Sequence, residues 1–222
     1  MGLYDVQPEG SPKAAVLVIQ EAFGVNDHIE DVTRRFAAAG YRAVAPHLFH
    51  RSGDPHLGYD DIGLVRPHME ALSATGIYAD LDASLDYLAA TGFPPGRVAA
   101  VGFCMGGTVV FHAAVRYHLG AAVTFYGGGV AEGRFGFEPQ TAVAAGLVTP
   151  WLGLYGDLDR GIPTDDVERL RAAVADASVA TEIVRYDDAE HGFHCDARSS
   201  YNAGAAADSW QRTLTWLARH LS

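Results

Sequence analysis

Along the chain, short solid apolar runs alternate with longer stretches of helical spacing. Lys13 to Gln20 carries Ala-Ala-Val-Leu-Val-Ile, too short for a globular helix and rich in β-branched residues, so it reads as a buried strand. It stops at Gln20-Glu21-Ala22-Phe23-Gly24. Asp27-x-x-Glu30 has the form of a capping box, and Ile29, Val32, Phe36 and Ala39 then share one helical face until Gly40. Tyr41 to Pro46 predicts a second strand. From His47 to Gly76, Gly, Pro, His and Asp break every period, which predicts an excursion of loops and short helices of the kind that roofs a site.

The alternation then resumes. Ile77, Leu81, Leu85 and Leu88 form a helical stripe closed at Gly92, and Arg97 opens a strand that runs to Cys104. Ala121 to Tyr126, Pro150 to Tyr155 and Thr181 to Tyr186 predict three more strands. A helix with Val167, Leu170, Val174 and Ala177 on one face lies between the last two. A final helix places Trp210, Thr213, Leu214, Leu217 and Leu221 on a core-facing stripe. Repeated strand-helix units predict an α/β fold with a mostly parallel central sheet and helices on both faces, and ligands gathered at the carboxyl ends of its strands. Glu21, Cys104, Asp157, Asp159 and His191 all follow predicted strands directly.

The length of 222 residues and a 49% hydrophobic composition suit one α/β domain spanning 1–222. Two cysteines are too few for a disulfide framework, and no early apolar run is long enough for a signal sequence or a membrane span, so the expected compartment is cytoplasmic. A formal net charge of -11 argues against nucleic acid or an anionic membrane as partner. The expected partner is a small molecule, and an anionic one needs local arginines to overcome that field. The oligomeric state is left open.

The candidate chemistry centres on Val98 to Val110, where an apolar run ends in Gly102-Phe103-Cys104-Met105-Gly106-Gly107 and a helical pattern follows. This is the pattern of a nucleophile elbow with cysteine in the place of serine. Its glycines remove side chains that would collide at the sharp turn, and the helix N-terminus favours a thiolate and a developing oxyanion. A lone cysteine is commonly a small core residue; the flanking glycines and the strand-then-helix context favour a nucleophile here. The N–H of Met105, the residue after the cysteine, then supplies one oxyanion donor.

A cysteine nucleophile needs a base, and the base needs an acid to fix its tautomer. Of ten histidines, His191 stands out because Asp188-Ala189-Glu190-His191-Gly192-Phe193 follows the last strand. Asp157 and Asp159, in Gly156-Asp157-Leu158-Asp159, both qualify as the acid. The order nucleophile, acid, histidine is that of the α/β-hydrolases. Glu21, leaving a buried strand on the ligand face, would disfavour the thiolate if close to Cys104 and would accept its S–H hydrogen bond.

These motifs, Gln20-Glu21-x-Phe23-Gly24-Val25, Gly102-Phe103-Cys104-Met105-Gly106-Gly107, Gly156-x-x-Asp159 with Pro163, and His191-Gly192-Phe193, resemble those of the dienelactone hydrolase (carboxymethylenebutenolidase) family over essentially the whole chain. The resemblance implies an α/β-hydrolase fold and hydrolysis of enol lactones without a cofactor. It makes Cys104 the nucleophile, His191 the base, Asp159 the acid in preference to Asp157, and Glu21 the carboxylate that controls the thiol. It also puts a second oxyanion donor at the N–H of Ala22. The family holds a substrate carboxylate with an arginine shortly after the histidine; here that position is Cys195, and the nearest arginine is Arg198. Arg66 in the excursion and Arg160 are the other candidates, and Phe23, Tyr126 and Trp151 are candidates for the pocket wall.

The cysteine itself narrows the substrate. A thiolate is expelled from a tetrahedral intermediate more readily than a plain alkoxide, so the acylated alcohol must be a stabilised leaving group, as in activated esters and enol lactones. Two other readings compete. His191-x-x-His194-Cys195 offers metal-ligand atoms, although no second cluster completes a zinc site in the sequence. A thiol redox sensor or non-catalytic binding module on the same scaffold is the other, with Cys195 able to capture an oxidised Cys104 if the two approach.

Overall fold

The apolar runs become the strands of one sheet. A computed structural model describes residues 1–221, which form β1 (Leu3–Val6), β2 (Ala15–Ile19), α1 (Asp27–Ala38), β3 (Arg42–Pro46), α2 (Ile62–Glu70), α3 (Ala74–Ala90), β4 (Val98–Phe103), α4 (Met105–Arg116), β5 (Ala121–Phe125), α5 (Gln140–Val143), β6 (Trp151–Gly156), α6 (Thr164–Val174), β7 (Thr181–Tyr186) and α7 (Ala203–His220). The strand order is β1-β3-β2-β4-β5-β6-β7. All neighbours are parallel except β1, which runs antiparallel to β3 with Leu3 opposite Pro46. Every residue of β2, β3, β4, β5 and β6 is buried, as expected where helices cover both faces, whereas the edge strands β1 and β7 are only partly covered.

On one face α1 and α7 meet through Phe36 and Trp210, whose ring centroids lie 4.6 Å apart. On the other, α4 packs on β4 and β5 and contacts α3 and α5. The expected stripe of Ile77, Leu81, Leu85 and Leu88 is buried. Among the described residues no helix is long and apolar enough to cross a membrane.

The cap of α1 and the strand β1 differ from the sequence expectation, and two features of the excursion fill in what it left open. Helix α1 is capped by Asn26, whose side chain accepts from the Ile29 N–H, and not by a box starting at Asp27. The Asp27 side chain is solvent-exposed instead. Strand β1 is too short and too polar to show a period; Arg42 and Tyr87 hold it by gripping Asp5. Helix α2 forms within the excursion despite Pro67 in its interior. The buried Asp80 of α3 anchors that excursion by accepting a bidentate pair from Arg51 at 2.6 and 2.9 Å and lying 3.0 Å from His50 Nε2.

The sheet order reverses direction between β2 and β4, whose neighbouring ends leave a crevice at the topological switch point. There the backbones approach so closely that side chains are excluded. A Cβ on Gly106 would lie 2.4 Å from the Ile19 carbonyl oxygen and 2.6 Å from that of Gln20, and one on Gly102 would lie 2.2 Å from the Gly106 carbonyl oxygen. Gly106→Ala must therefore push β2 and the β4–α4 turn apart, with an expected loss of about 3 kcal/mol. Gly63→Ala, with nothing within 4 Å in helix α2, is expected to gain about 0.5–1 kcal/mol. Urea unfolding of the two variants checks the opposite signs.

Candidate active site

Five strand ends supply the site. Cys104 joins β4 to α4 without an intervening loop and takes φ 55, ψ -117, a conformation costly for a residue with a Cβ. Its N–H donates to the Phe125 carbonyl at 3.1 Å, and its own carbonyl accepts from Gly107 and Thr108 in the first turn of α4. The thiol thus stands at the N-terminus of a twelve-residue helix, half-buried. The Met105 and Ala22 N–H groups have no backbone acceptor among the described residues, and both belong to segments that converge on the β2–β4 crevice.

The turn after β6 separates the two candidate acids. Asp157 is taken by Arg185, which donates to both its oxygens at 2.6 and 2.7 Å. Asp159 is buried; its Oδ1 accepts from the Gly161 N–H at 2.8 Å and its Oδ2 lies 2.6 Å from His191 Nδ1. That contact assigns the Nδ1 proton and leaves Nε2 for another partner. Cys104 and His191 line the same small cavity. Burial alone would lower the His191 pKa, but the neighbouring Cys104 sulfur and Asp159 outweigh it and raise it to about 10. Asp159 thus holds His191 at the wall of a cavity that Cys104 also lines.

Glu21 is fully buried beside these residues but does not meet the thiol as the sequence reading anticipated. Its Oε2 accepts from the Tyr59 hydroxyl at 2.7 Å, its Oε1 from Tyr126 at 3.4 Å, and Arg198 Nη1 lies 3.6 Å from Oε1. Burial and the Glu21 charge push the Tyr59 and Tyr126 hydroxyls far above their ordinary range, so both remain donors. Tyr126 packs its ring 5.0 Å from that of His191, and Phe23 packs against Tyr59 at 4.7 Å. Both back the site. Trp151 is a core residue whose indole donates to Thr124 at 3.0 Å.

The arginines sort clearly. Arg198 reaches the site although it is three residues beyond the vacant arginine position: its backbone turns back onto the Cys195 carbonyl, and its guanidinium crosses above Gly192, where a Cβ would lie 2.6 Å from it. Arg66 does not reach it. Its side chain is 81% exposed and pairs with Glu70 at 2.7 Å, while Met69, one turn on, lines the cavity.

That cavity, about 60 Å³, is bounded by Met69, Cys104, Met105, Gly128, Arg134 and His191 among others. It is a throat between two larger clefts. One, of about 350 Å³, is shared through Arg134, Gly161 and Ile162; the other, of about 680 Å³, runs over Asp159, Arg160, His191 and Arg198. Sequence reading missed Tyr59, because nothing placed the excursion over Glu21, and missed Arg134. The latter sits on the turn after the Gly127-Gly128-Gly129 loop and lies across Gly128; it has no acidic partner among the described residues. His194 diverges from His191 altogether, packed between Phe103, Phe125 and Trp210. Cys195 is buried and its thiol free.

The dienelactone hydrolase family model matches residues 1–221. The "Putative carboxymethylenebutenolidase" of Escherichia coli (strain K12) is 38% identical over 224 residues, covering 99% of this chain and 83% of the relative. A protein of the same name from Synechocystis sp. (strain PCC 6803) is 38% identical over 202 residues, covering 89% and 82%. The crystal structure of a "putative dienelactone hydrolase" from Klebsiella pneumoniae superposes with a TM-score of 0.88 at 39% identity, covering 98% of this chain and 92% of that one. With its sheet, its elbow and its full-length similarity in agreement, this chain belongs to the dienelactone hydrolase family and has the α/β-hydrolase fold.

Proposed function

We propose that this hydrolase cleaves activated carboxylic esters or enol lactones by acyl transfer through Cys104, with His191 as base and acid and Asp159 orienting it. The observation that supports the reading is the 2.6 Å contact between Asp159 and His191 at the wall of a cavity that Cys104, a thiol on a strained elbow, also lines. The thiolate attacks the carbonyl carbon, and the oxyanion takes hydrogen bonds from the N–H groups of Met105 and Ala22. His191 Nε2 gives its proton to the departing enolate or activated alkoxide as the C–O bond breaks, leaving a thioester. The neutral imidazole then removes a proton from water, hydroxide adds to the thioester, and the carboxylic acid departs as the thiolate is restored beside the imidazolium.

In this reading Glu21 serves the site through its neighbours, orienting Tyr59, Tyr126 and Arg198 and keeping the guanidinium charge compensated. The anion-binding role considered for Arg66 fits Arg134 better. Arg134 lines the same cavity as Cys104, and no carboxylate is paired with it among the described residues, whereas Arg198 already faces Glu21.

Cys104→Ala is expected to lower kcat/KM on an enol lactone or aryl ester by about a thousandfold or more while the near-UV spectrum and unfolding midpoint stay native. Cys104→Ser is expected to be poor as well. Wild-type turnover by Cys104→Ala overturns the reading, and would leave a binding or redox role for the thiol.

The alkaline limb of kcat/KM should lie near pH 10, because the reaction needs the His191 proton and that proton is lost only as pH rises through the raised pKa of about 10. Asp159→Asn, which removes a charge holding that proton, should move the limb toward neutrality. A wild-type limb near the ordinary histidine value speaks against the thiolate–imidazolium pair.

For the substrate's charge, Arg134→Ala is expected to cost roughly tenfold or more in kcat/KM on an ester bearing a carboxylate, with little change on its neutral analogue. Equal effects on both remove the anion-binding role.

A further inference from the structure

We propose that His28, Cys195 and Asp196 form a binding site for a thiophilic divalent metal ion of the zinc type, linking the first turn of α1 to the loop that carries His191. One donor atom from each of the three residues lies within 4.8 Å of the others. The imidazole of His28, in a residue only 5% exposed, has both ring nitrogens buried and neither hydrogen-bonded. A buried polar group without a partner is uncommon and costs stability, so an imidazole with two such nitrogens, one of them facing a thiol and a carboxylate, is a ligand without its acceptor.

The donors suit a borderline-soft ion. Bonds of 2.0–2.3 Å from tetrahedral zinc to nitrogen, oxygen and sulfur imply ligand atoms about 3.5 Å apart, so the three need close by only about 1 Å. Asp196 can supply most of that movement because its side chain is 59% exposed. It would leave Arg35, now 3.4 Å away, which retains Asp31 at 2.6 Å. Metal binding would take up a lone pair of His28, and Cys195 would release its thiol proton to solvent as the sulfur–metal bond forms.

The thiolate and the Asp196 carboxylate balance the ion's two positive charges. Around His28 the carboxylates of Glu21, Asp196 and Asp31 outnumber the one facing cation, Arg35, which favours a cation there. The site is distinct from the Cys104–His191 pair. The Tyr59 ring lies 6.5 Å from that of His28, and its hydroxyl donates to Glu21, so the buried carboxylate is already engaged. In the sequence His191-x-x-His194-Cys195 offers ligand atoms with no second cluster to complete a site; in the fold His28, from a different element, lies near Cys195, while His191 turns to Asp159.

The test is zinc binding to the reduced full-length protein, measured by competition with a chromophoric chelator, with cobalt(II) as a spectroscopic probe. Wild type is expected to take up one equivalent and to show thiolate-to-cobalt charge-transfer absorption. Cys195→Ala should weaken binding about a hundredfold or more and abolish the band, and Asp196→Asn, an exposed change that leaves the core intact, should weaken it about tenfold or more. Cys104→Ala should bind as wild type. Absence of stoichiometric zinc in the wild type, undiminished binding in both Cys195→Ala and Asp196→Asn, or loss of binding in Cys104→Ala overturns the proposal.

Discussion

The site depends on a backbone contact in which there is no room for a single carbon atom. At the switch point between β2 and β4 the first turn of α4 presses on the carbonyls of Ile19 and Gln20, and the elbow closes on itself across Gly102. This packing leaves Cys104 no relaxed alternative to its positive φ, so the strain is carried by the surrounding sheet. It also sets Glu21, which follows β2, beside the thiol, which follows β4, because Ile19 and Gly102 are paired in register.

Once that geometry is fixed, electrostatics assigns the partners. Three groups able to carry negative charge, Glu21, Cys104 and Asp159, share a confined region of a protein whose net charge is already -11. Each has its own compensation. Asp159 holds His191, His191 shares a cavity with the sulfur, and Glu21 is held by two tyrosine hydroxyls with Arg198 close by. Separate compensation matters because an imidazole shared between Asp159 and Glu21 could not keep one nitrogen facing the sulfur. The same reasoning explains why Asp157, two residues from Asp159, takes no part: Arg185 occupies both its oxygens.

Surface segments finish the site and give it its individuality. The excursion after β3 brings Tyr59 to Glu21 and Met69 to the throat above Cys104, and the glycine-rich turn after β5 brings in Arg134. The loop after β7 carries His191 into the site while burying His194 and Cys195 behind it, against aromatic rings and Tyr59. Cys195 gives that layer a chemistry of its own. It puts a thiol in a buried layer next to an imidazole that has no partner of its own.

The sequence by itself determined the elements with strong periods or solid apolar runs, because burial on two faces or one helical stripe leaves a local imprint. It also determined the elbow, since tight backbone contact admits only glycine at Gly102 and Gly106 and those glycines are visible in the chain. The family was legible for the same reason. The cap at Asn26, the edge strand β1 and helix α2 were not, for they are held by partners distant in sequence such as Leu57, Arg42 and Tyr87. The family resemblance already preferred Asp159 to Asp157; only the tertiary structure decided that Arg185 takes Asp157 away, that Glu21 is held by tyrosines, that Arg134 lines the cavity of Cys104 while Arg66 faces solvent, and that His28 lies near Cys195. In each case the residue type was plain, but its role depended on which charge or donor another segment placed within a few ångströms, and local sequence carries no record of that distance.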